Sequence, residues 1–324
     1  MIDKVIIGID GGASKTSGVI FNEKGETLAH ESGLGTNLSI DEKKSAERVV
    51  KLIKNLLEKT KININDISSI GIGLAGASNE IGRQTLFGLL DNVRLSDKTI
   101  ITNDVDPLYD FIWSGVQKGI LVNVGTGVIC MSKKDNNFIK VAGQGHEKGD
   151  VGSGYWIAKE SLIEIELNQS AATSEIKEIL SLCLEHYQIG SYASLMQKID
   201  NSDEKIAMIA SFAKKVILLA SQGNECAVSI VQQATRIVAE YIIEVRDLMD
   251  YGDNDIILSG NGSVLRNDYF RSELNNALSF DFKNIKWIFS DIYPAYAMGT
   301  LAARIHKIDI DRKKLNRNAL KVEK

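Results

Sequence analysis

Asp10, Ser14, Lys15, Thr16, Asn37, Asp104, Thr126, His146, Asp150 and the run Gly260–Ser263 are the polar groups that fall just after predicted strands. Open α/β sheets bind their ligands at such positions. The first of them lie in Val5-Ile6-Ile7-Gly8-Ile9-Asp10-Gly11-Gly12-Ala13-Ser14-Lys15-Thr16, which continues as Ser17-Gly18-Val19-Ile20-Phe21. An acid ends an apolar strand, two glycines leave the turn's backbone bare, and two hydroxyls and an ammonium follow. Bare N–H groups, hydroxyls and one cation suit a phosphate chain. A Walker A loop is excluded because Ser14, not glycine, precedes Lys15. A dinucleotide fingerprint is excluded because Thr16 to Phe21 reads as a strand where that motif needs a helix. The segment is a β-hairpin, and by itself fits either a phosphate cradle or a hairpin with no ligand.

Asp104 follows a predicted strand and precedes a helix. Such a carboxylate can cap the helix. It can also take the proton of a substrate hydroxyl as general base, and different oxygens could serve both roles. Asp10 and Asp150 each stand beside glycine loops. Two carboxylates near a triphosphate would hold Mg²⁺, or each could simply cap its turn. Lys15 is either a phosphate ligand or a solvated lysine. His146 has no second His or Cys near it and reads as structural. Cys130, Cys183 and Cys226 have no ligand-like spacing and read as small buried hydrophobes.

The elements that must position these groups follow from periodicity. Residues 4–9, 16–21 and 26–31 form a predicted three-stranded meander. After the loop Gly33–Asn37, Ser39 and Glu42 read as a capping box opening a helix to about Lys59. A strand at Ile67–Leu74, a helix near 79–90, a strand at Thr99–Thr102 and a short helix follow, an alternation that argues for parallel pairing. A second meander starts near residue 118, with a turn at Gly125-Thr126-Gly127. It repeats the opening pattern without repeating its residues. The glycine-rich segment Gly143–Gly154 leads into predicted helices at Tyr155–Asn168, Ser174–His186, Lys205–Gln222 and Asn224–Met249. Strands at Asp255–Leu258 and Ile285–Phe289, with helices near Asn267–Leu278 and Pro294–His306, complete the core. The charged tail 307–324 is expected to be frayed or extended.

The chain's 324 residues suggest two domains. A net charge of −4 gives no electrostatic case for nucleic acid. The apolar run Val5–Ile9 is too short for a signal peptide, and no stretch approaches a membrane span. Three separated cysteines argue for a reducing compartment, so a cytoplasmic protein without a membrane partner is expected.

These landmarks together resemble the sugar kinase, heat-shock 70 and actin superfamily, and most of all the N-acetylglucosamine kinase branch of the BadF/BadG/BcrA/BcrD ATPase family. Ile9–Thr16 resembles its first phosphate hairpin, with Ala13 in place of a third glycine. Thr102-Asn103-Asp104 resembles the motif holding the catalytic Asp. Val124–Gly127, Gly143–Tyr155 and Leu258–Ser263 resemble the second hairpin, the following glycine segment and the adenosine-side motif.

The resemblance implies an α/β fold of two ribonuclease H-like domains with an active-site cleft between them. They would be 1–117, carrying sugar and phosphate, and 118–306, with a helical insertion, carrying adenosine. The helix 294–306 would pack back on the first domain. It implies ATP and Mg²⁺ as cofactors, an N-acetylated amino sugar phosphorylated at its 6-hydroxyl, and a homodimer. Asp104 would be the base. Gly11, Gly12, Ala13, Ser14, Lys15, Thr16, Gly125, Thr126, Gly127, Gly260, Asn261 and Gly262 would bind nucleotide. Thr36, Asn37, Ala75, Gly76, Asn103, Asp104, Thr126, Gln144, Gly145 and Asp150 would line the sugar site, and Asp10 and Asp150 would hold the metal. Gln144 stands where the family usually has Trp, and Val151 where it usually has Glu. Loss of the indole leaves room and an amide, which suits a bulkier sugar such as N-acetylmuramic acid.

Two other readings share these hairpins. An ATPase activator of a 2-hydroxyacyl-CoA dehydratase would need cysteines in exposed loops for an iron–sulfur cluster. A nucleotide-dependent regulator without turnover would need neither Asp104 nor Asn37.

Overall fold

The computed structural model describes residues 3–113, 119–134, 137–146, 150–168, 172–252, 255–289 and 294–319. The chain divides into two units, Met1–Val116 with Ser290–Lys324, and Gln117–Phe289. The first unit begins with strands β1 (Val5–Gly11), β2 (Lys15–Asn22) and β3 (Thr27–Leu34). Helix α1 (Glu42–Thr60), β4 (Ile67–Leu74), α2 (Glu80–Asn92), β5 (Thr99–Thr102) and α3 (Asp106–Ile112) follow. The second unit holds β6 (Ile120–Val124), β7 (Val128–Lys134) and β8 (Asn137–Ala142). Its helices are α4 (Gly154–Leu167), α5 (Ser174–Tyr187), α6 (Tyr192–Asp200), α7 (Lys205–Ser211), α8 (Ala213–Ser221) and α9 (Glu225–Met249). It closes with β9 (Asp255–Asn261), α10 (Asp268–Leu278) and β10 (Asn284–Phe289). The chain returns to the first unit with α11 (Pro294–Ile305) and α12 (Arg312–Ala319).

The first sheet has the order β3-β2-β1-β4-β5, and the second the corresponding order β8-β7-β6-β9-β10. Each is an antiparallel meander joined to two parallel strands. The repeated pattern of the sequence is thus a repeated topology, although the turn residues Asp135 and Asn136 lie outside the described set.

Strand β1 is apolar from Val5 to Ile9 because both of its faces are covered. Ile7 and Ile9 join Val49, Leu52, Ile53 and Leu56 of α1 on one side, while Ile6 joins Phe21, Ala295 and Tyr296 on the other. On that second side two paired glycines, Gly8 and Gly71, let α11 approach the sheet backbone. A Cβ at Gly8 would lie 1.9 Å from the Ala295 carbonyl oxygen, and one at Gly71 1.9 Å from that of Met298.

Several local expectations change. Asp41, not Ser39, caps α1: the helix starts at Glu42 and the Asp41 carboxylate accepts the Lys44 N–H at 2.8 Å, while the Ser39 N–H donates to Asn37 Oδ1 at 2.9 Å. The helix expected over 205–222 is two helices, broken at Phe212, whose wholly buried ring packs beside His186 and Tyr187. Helix α6 adds a turn-rich stretch not expected to be helical; Ser191 caps it, and Leu195 and Ile199 bury one face. The tail contains α12, anchored by the Asp311 N–H on Glu23 O at 2.9 Å and by the buried Leu315. Among the described residues no single helix is long and apolar enough to cross a membrane.

Candidate active site

Parallel pairing aligns the C-terminal ends of three strands in the first unit: Asp10 pairs with Gly73, and Gly73 with Thr102. The loops leaving those ends carry Gly11–Lys15, Ala75–Gly76 and Asn103–Asp104. Backbone bonds stitch the first two to the Gly35–Ser39 loop. Thr36 N–H donates to Gly12 O at 2.9 Å, Ala75 N–H to Gly11 O at 2.7 Å, and Leu38 N–H to Ala75 O at 3.0 Å. The Gly12 N–H closes the hairpin on Lys15 O at 2.9 Å, leaving Ser14 and Lys15 exposed at its tip. Glycines make these approaches possible. Gly35 lies against the Ala13 carbonyl, and Gly76, at φ 73°, lies under the Asn37 carboxamide.

Asn37 is half-buried; its Oδ1 is taken by Ser39, which leaves Nδ2 as the donor it can offer a ligand. Two residues expected at the ligands have structural partners for their side chains. Thr36 is wholly buried, and its hydroxyl shares a 2.8 Å hydrogen bond with that of Thr16, which also donates to Leu34 O at 2.7 Å. The hydroxyls of Thr16 and Thr36 therefore brace the hairpin against its neighbouring loop.

The turn before α3 is bonded through the Asn103 side chain. Asn103 Oδ1 accepts the N–H groups of Val105 at 3.0 Å and Asp106 at 2.8 Å, and Asn103 Nδ2 donates to Asp106 Oδ2 at 2.7 Å. The first turn of α3 is thus held by Asn103, and the N-cap position falls to Val105, whose side chain makes no cap bond. Both ends of the Asn103 carboxamide, expected at the sugar, are engaged in this turn. The spacing of Asn and Asp three residues apart across a helix start could have signalled this. Near Asp104, burial raises the Asp10 carboxyl well above the usual carboxylate range, and the Asp104 charge raises it further against a lowering by Lys15. Two carboxylates close enough to interact are hard oxygen donors that suit a divalent cation, whose charge would offset this cost.

In the second unit three glycine loops interlock. Val264 N–H donates to Val124 O at 3.0 Å, Gly154 N–H to Gly125 O at 2.7 Å, and Tyr155 N–H to Thr126 O at 3.1 Å. Gly262, at φ 90°, lies against the Val124 carbonyl. The Asn261 carboxamide donates to Asn123 Oδ1 at 3.0 Å. Asp150 sits over Gly127; burial raises its carboxyl, opposed by hydrogen bonds from the Val128 and Gly145 backbones and by His146. Its turn-holding role is therefore real, whatever else it binds. His146 sets its ring edgewise to Tyr155, with centroids 5.7 Å apart. Gln144 is exposed between Gly143 and Gly145, both at positive φ. Glu147, Lys148 and Gly149 of the same segment lie outside the described residues.

All three cysteines lie inside regular elements, β7, α5 and α9. Burial raises all three thiols, Cys183 to about 12 and Cys226 to about 11. Among the described residues no group of three or more His, Cys, Asp or Glu could hold a metal ion.

Comparison with known proteins gives consistent matches. The profile of the BadF/BadG/BcrA/BcrD ATPase family matches residues 7–299. An N-acetylmuramic acid/N-acetylglucosamine kinase of Clostridium acetobutylicum is 27% identical over 290 residues, 88% of this chain and 94% of that protein. An N-acetyl-D-glucosamine kinase of Dictyostelium discoideum is 28% identical over 172 residues, 50% of this chain and 54% of that protein. The fold matches the crystal structure of a candidate N-acetylglucosamine kinase from Chromobacterium violaceum with a TM-score of 0.69 at 18% identity, covering 93% of this chain and 100% of that one.

Proposed function

The chain belongs to the BadF/BadG/BcrA/BcrD ATPase family, and we propose that it is an ATP-dependent kinase that phosphorylates an N-acetylated amino sugar at its 6-hydroxyl. The observation that carries this reading is the place of Asp104, directly after the end of β5 and close enough to Asp10, at the foot of the glycine hairpin, for its charge to raise that carboxyl. The kinases of Clostridium acetobutylicum and Dictyostelium discoideum support the substrate class.

In this mechanism Asp104 accepts the proton of the sugar hydroxyl. That oxygen forms a bond to the γ-phosphorus as the bond from phosphorus to the β,γ-bridging oxygen breaks, and ADP leaves. From the first unit, the hairpin tip offers its backbone and the Lys15 ammonium to the phosphates, and Asn37 Nδ2 and the Ala75–Gly76 loop hold the sugar. From the second, Gly125, Thr126 and Gly127 face phosphate, Gly260–Gly262 face adenosine, and Gly145, Gln144 and Asp150 face the sugar. Mg²⁺, held through Asp10, would supply charge to the phosphate oxygens. The exposed Gln144 leaves room for the lactyl group of N-acetylmuramic acid. The placement of the cysteines in strand and helices supports this reading over an iron–sulfur activator.

Substituting Asp104→Asn tests the assignment. It removes the proton acceptor while keeping shape, so kcat should fall by roughly 10²- to 10⁴-fold with sugar and ATP still bound. Unchanged turnover with every amino sugar would overturn it.

A further inference from the structure

We infer that Asn103 is a positioning residue that fixes the carboxylate of Asp104 through a clamp with Asp106, and that it makes no contact with the sugar. The inference rests on the kinase reading, with Asp104 as the base. Only Asn103, Asp104 and Val105 separate the end of β5 at Thr102 from the start of α3 at Asp106. Asp104 is the middle residue of that link, so its direction depends on how the link is bent. The Asn103 carboxamide reaches over it: Oδ1 takes the N–H groups of Val105 and Asp106, and Nδ2 grips Asp106 Oδ2 at 2.7 Å. Each end of one side chain is tied to the far side of the residue it must hold. The near side is fixed as well. The Asn103 carbonyl oxygen lies where a Cβ on Gly73 would stand 3.1 Å away, so the bare edge of β4 sets where the link begins.

The clamp makes a chemical demand that sugar binding would not. Position 103 must accept two N–H groups and also donate to a carboxylate. An Asp there keeps the acceptor but meets the Asp106 carboxylate with a like charge. Exchanging the pair, Asn103→Asp with Asp106→Asn, restores one donor and one acceptor across the same gap.

Asn103→Asp, Asp106→Asn, the exchanged double variant and Asp104→Asn would be compared by steady-state kinetics with N-acetylglucosamine and MgATP, and by thermal melting. In Asn103→Asp, kcat should fall roughly 10- to 100-fold, the scale of an ångström-sized misplacement, while KM for the sugar stays within about threefold. The double variant should recover most of that loss, whatever the stability of the single variants. Failure of the exchange to raise kcat above that of Asn103→Asp would overturn the clamp. So would a loss confined to the sugar KM, which marks a direct contact, or a lowered melting temperature with kcat unchanged, which marks a purely structural role. An active Asp104→Asn enzyme would instead refute the base itself, and the clamp's purpose with it.

Discussion

Asp10 carries a cost that nearby groups do not cancel. Burial and the Asp104 charge raise its carboxyl, and Lys15 alone is identified as opposing them. In the unfolded chain the same carboxyl ionises in the ordinary range. Between that range and its raised folded value, the folded protein holds a proton that the unfolded chain has lost. Stability therefore falls as the pH rises through that window. In solutions free of metal and nucleotide, Asp10→Asn should melt above the parent at neutral pH, with the gap closing as the pH is lowered. A gap that widens on acidification would contradict the assignment. The Thr16–Thr36 hydroxyl pair makes a second prediction at this scale. Thr16→Val strands a buried hydroxyl and should cost about 1–3 kcal/mol in urea unfolding. Thr16→Val with Thr36→Val should cost less than the two single losses summed, because both partners then leave together.

At the level of elements, the strands and helices that carry the site announce themselves because their apolar spacing is strong. β1, β2 and α1 could be placed from Val5–Ile9, Thr16–Phe21 and the Val49–Leu56 stripe. What the spacing could not show is which face each neighbour needs. Gly8 and Gly71 look like weak points in their strands, yet they are the floor on which α11 lies. Their partner is far along the chain, so no local pattern reveals it. Gly8→Ala would put a methyl group into the Ala295 carbonyl, and should lower stability by about 1–3 kcal/mol in chemical unfolding or prevent folding. No change in the unfolding midpoint would contradict this packing. Capping at α1 was misread for a related reason. Ser39 and Asp41 both suit a cap, and the start of the helix at Glu42 gives the place to Asp41, while Ser39 stays in the candidate sugar loop with its N–H on Asn37. Thr36 and Asn103 were likewise legible as residues of the site's loops. The braced role of Thr36 depends on the Thr16 hydroxyl, which only the fold brings near, whereas the partners of Asn103 lie two and three residues on, within reach of the local pattern.

Across the whole molecule, the two sheets share one strand order with the glycine turns at corresponding places, after β1 and after β6. That repeat explains why motifs spread over most of the chain could be recognised together although each is short. It also separates what topology supplies from what side chains decide. In the proposed kinase two glycine-lined hairpins serve the nucleotide, and Asn37, Asp104 and Gln144 are left to choose the acceptor. The central claim is therefore that ATP consumption depends on an amino sugar. Its most direct test is ADP release by the purified protein with MgATP, measured without sugar and with N-acetylglucosamine or N-acetylmuramic acid, the product's phosphate located by NMR. The account predicts little ADP without sugar and stoichiometric ADP and 6-phosphorylated sugar with at least one of the two. ADP released at the same rate whether or not any amino sugar is present would contradict it.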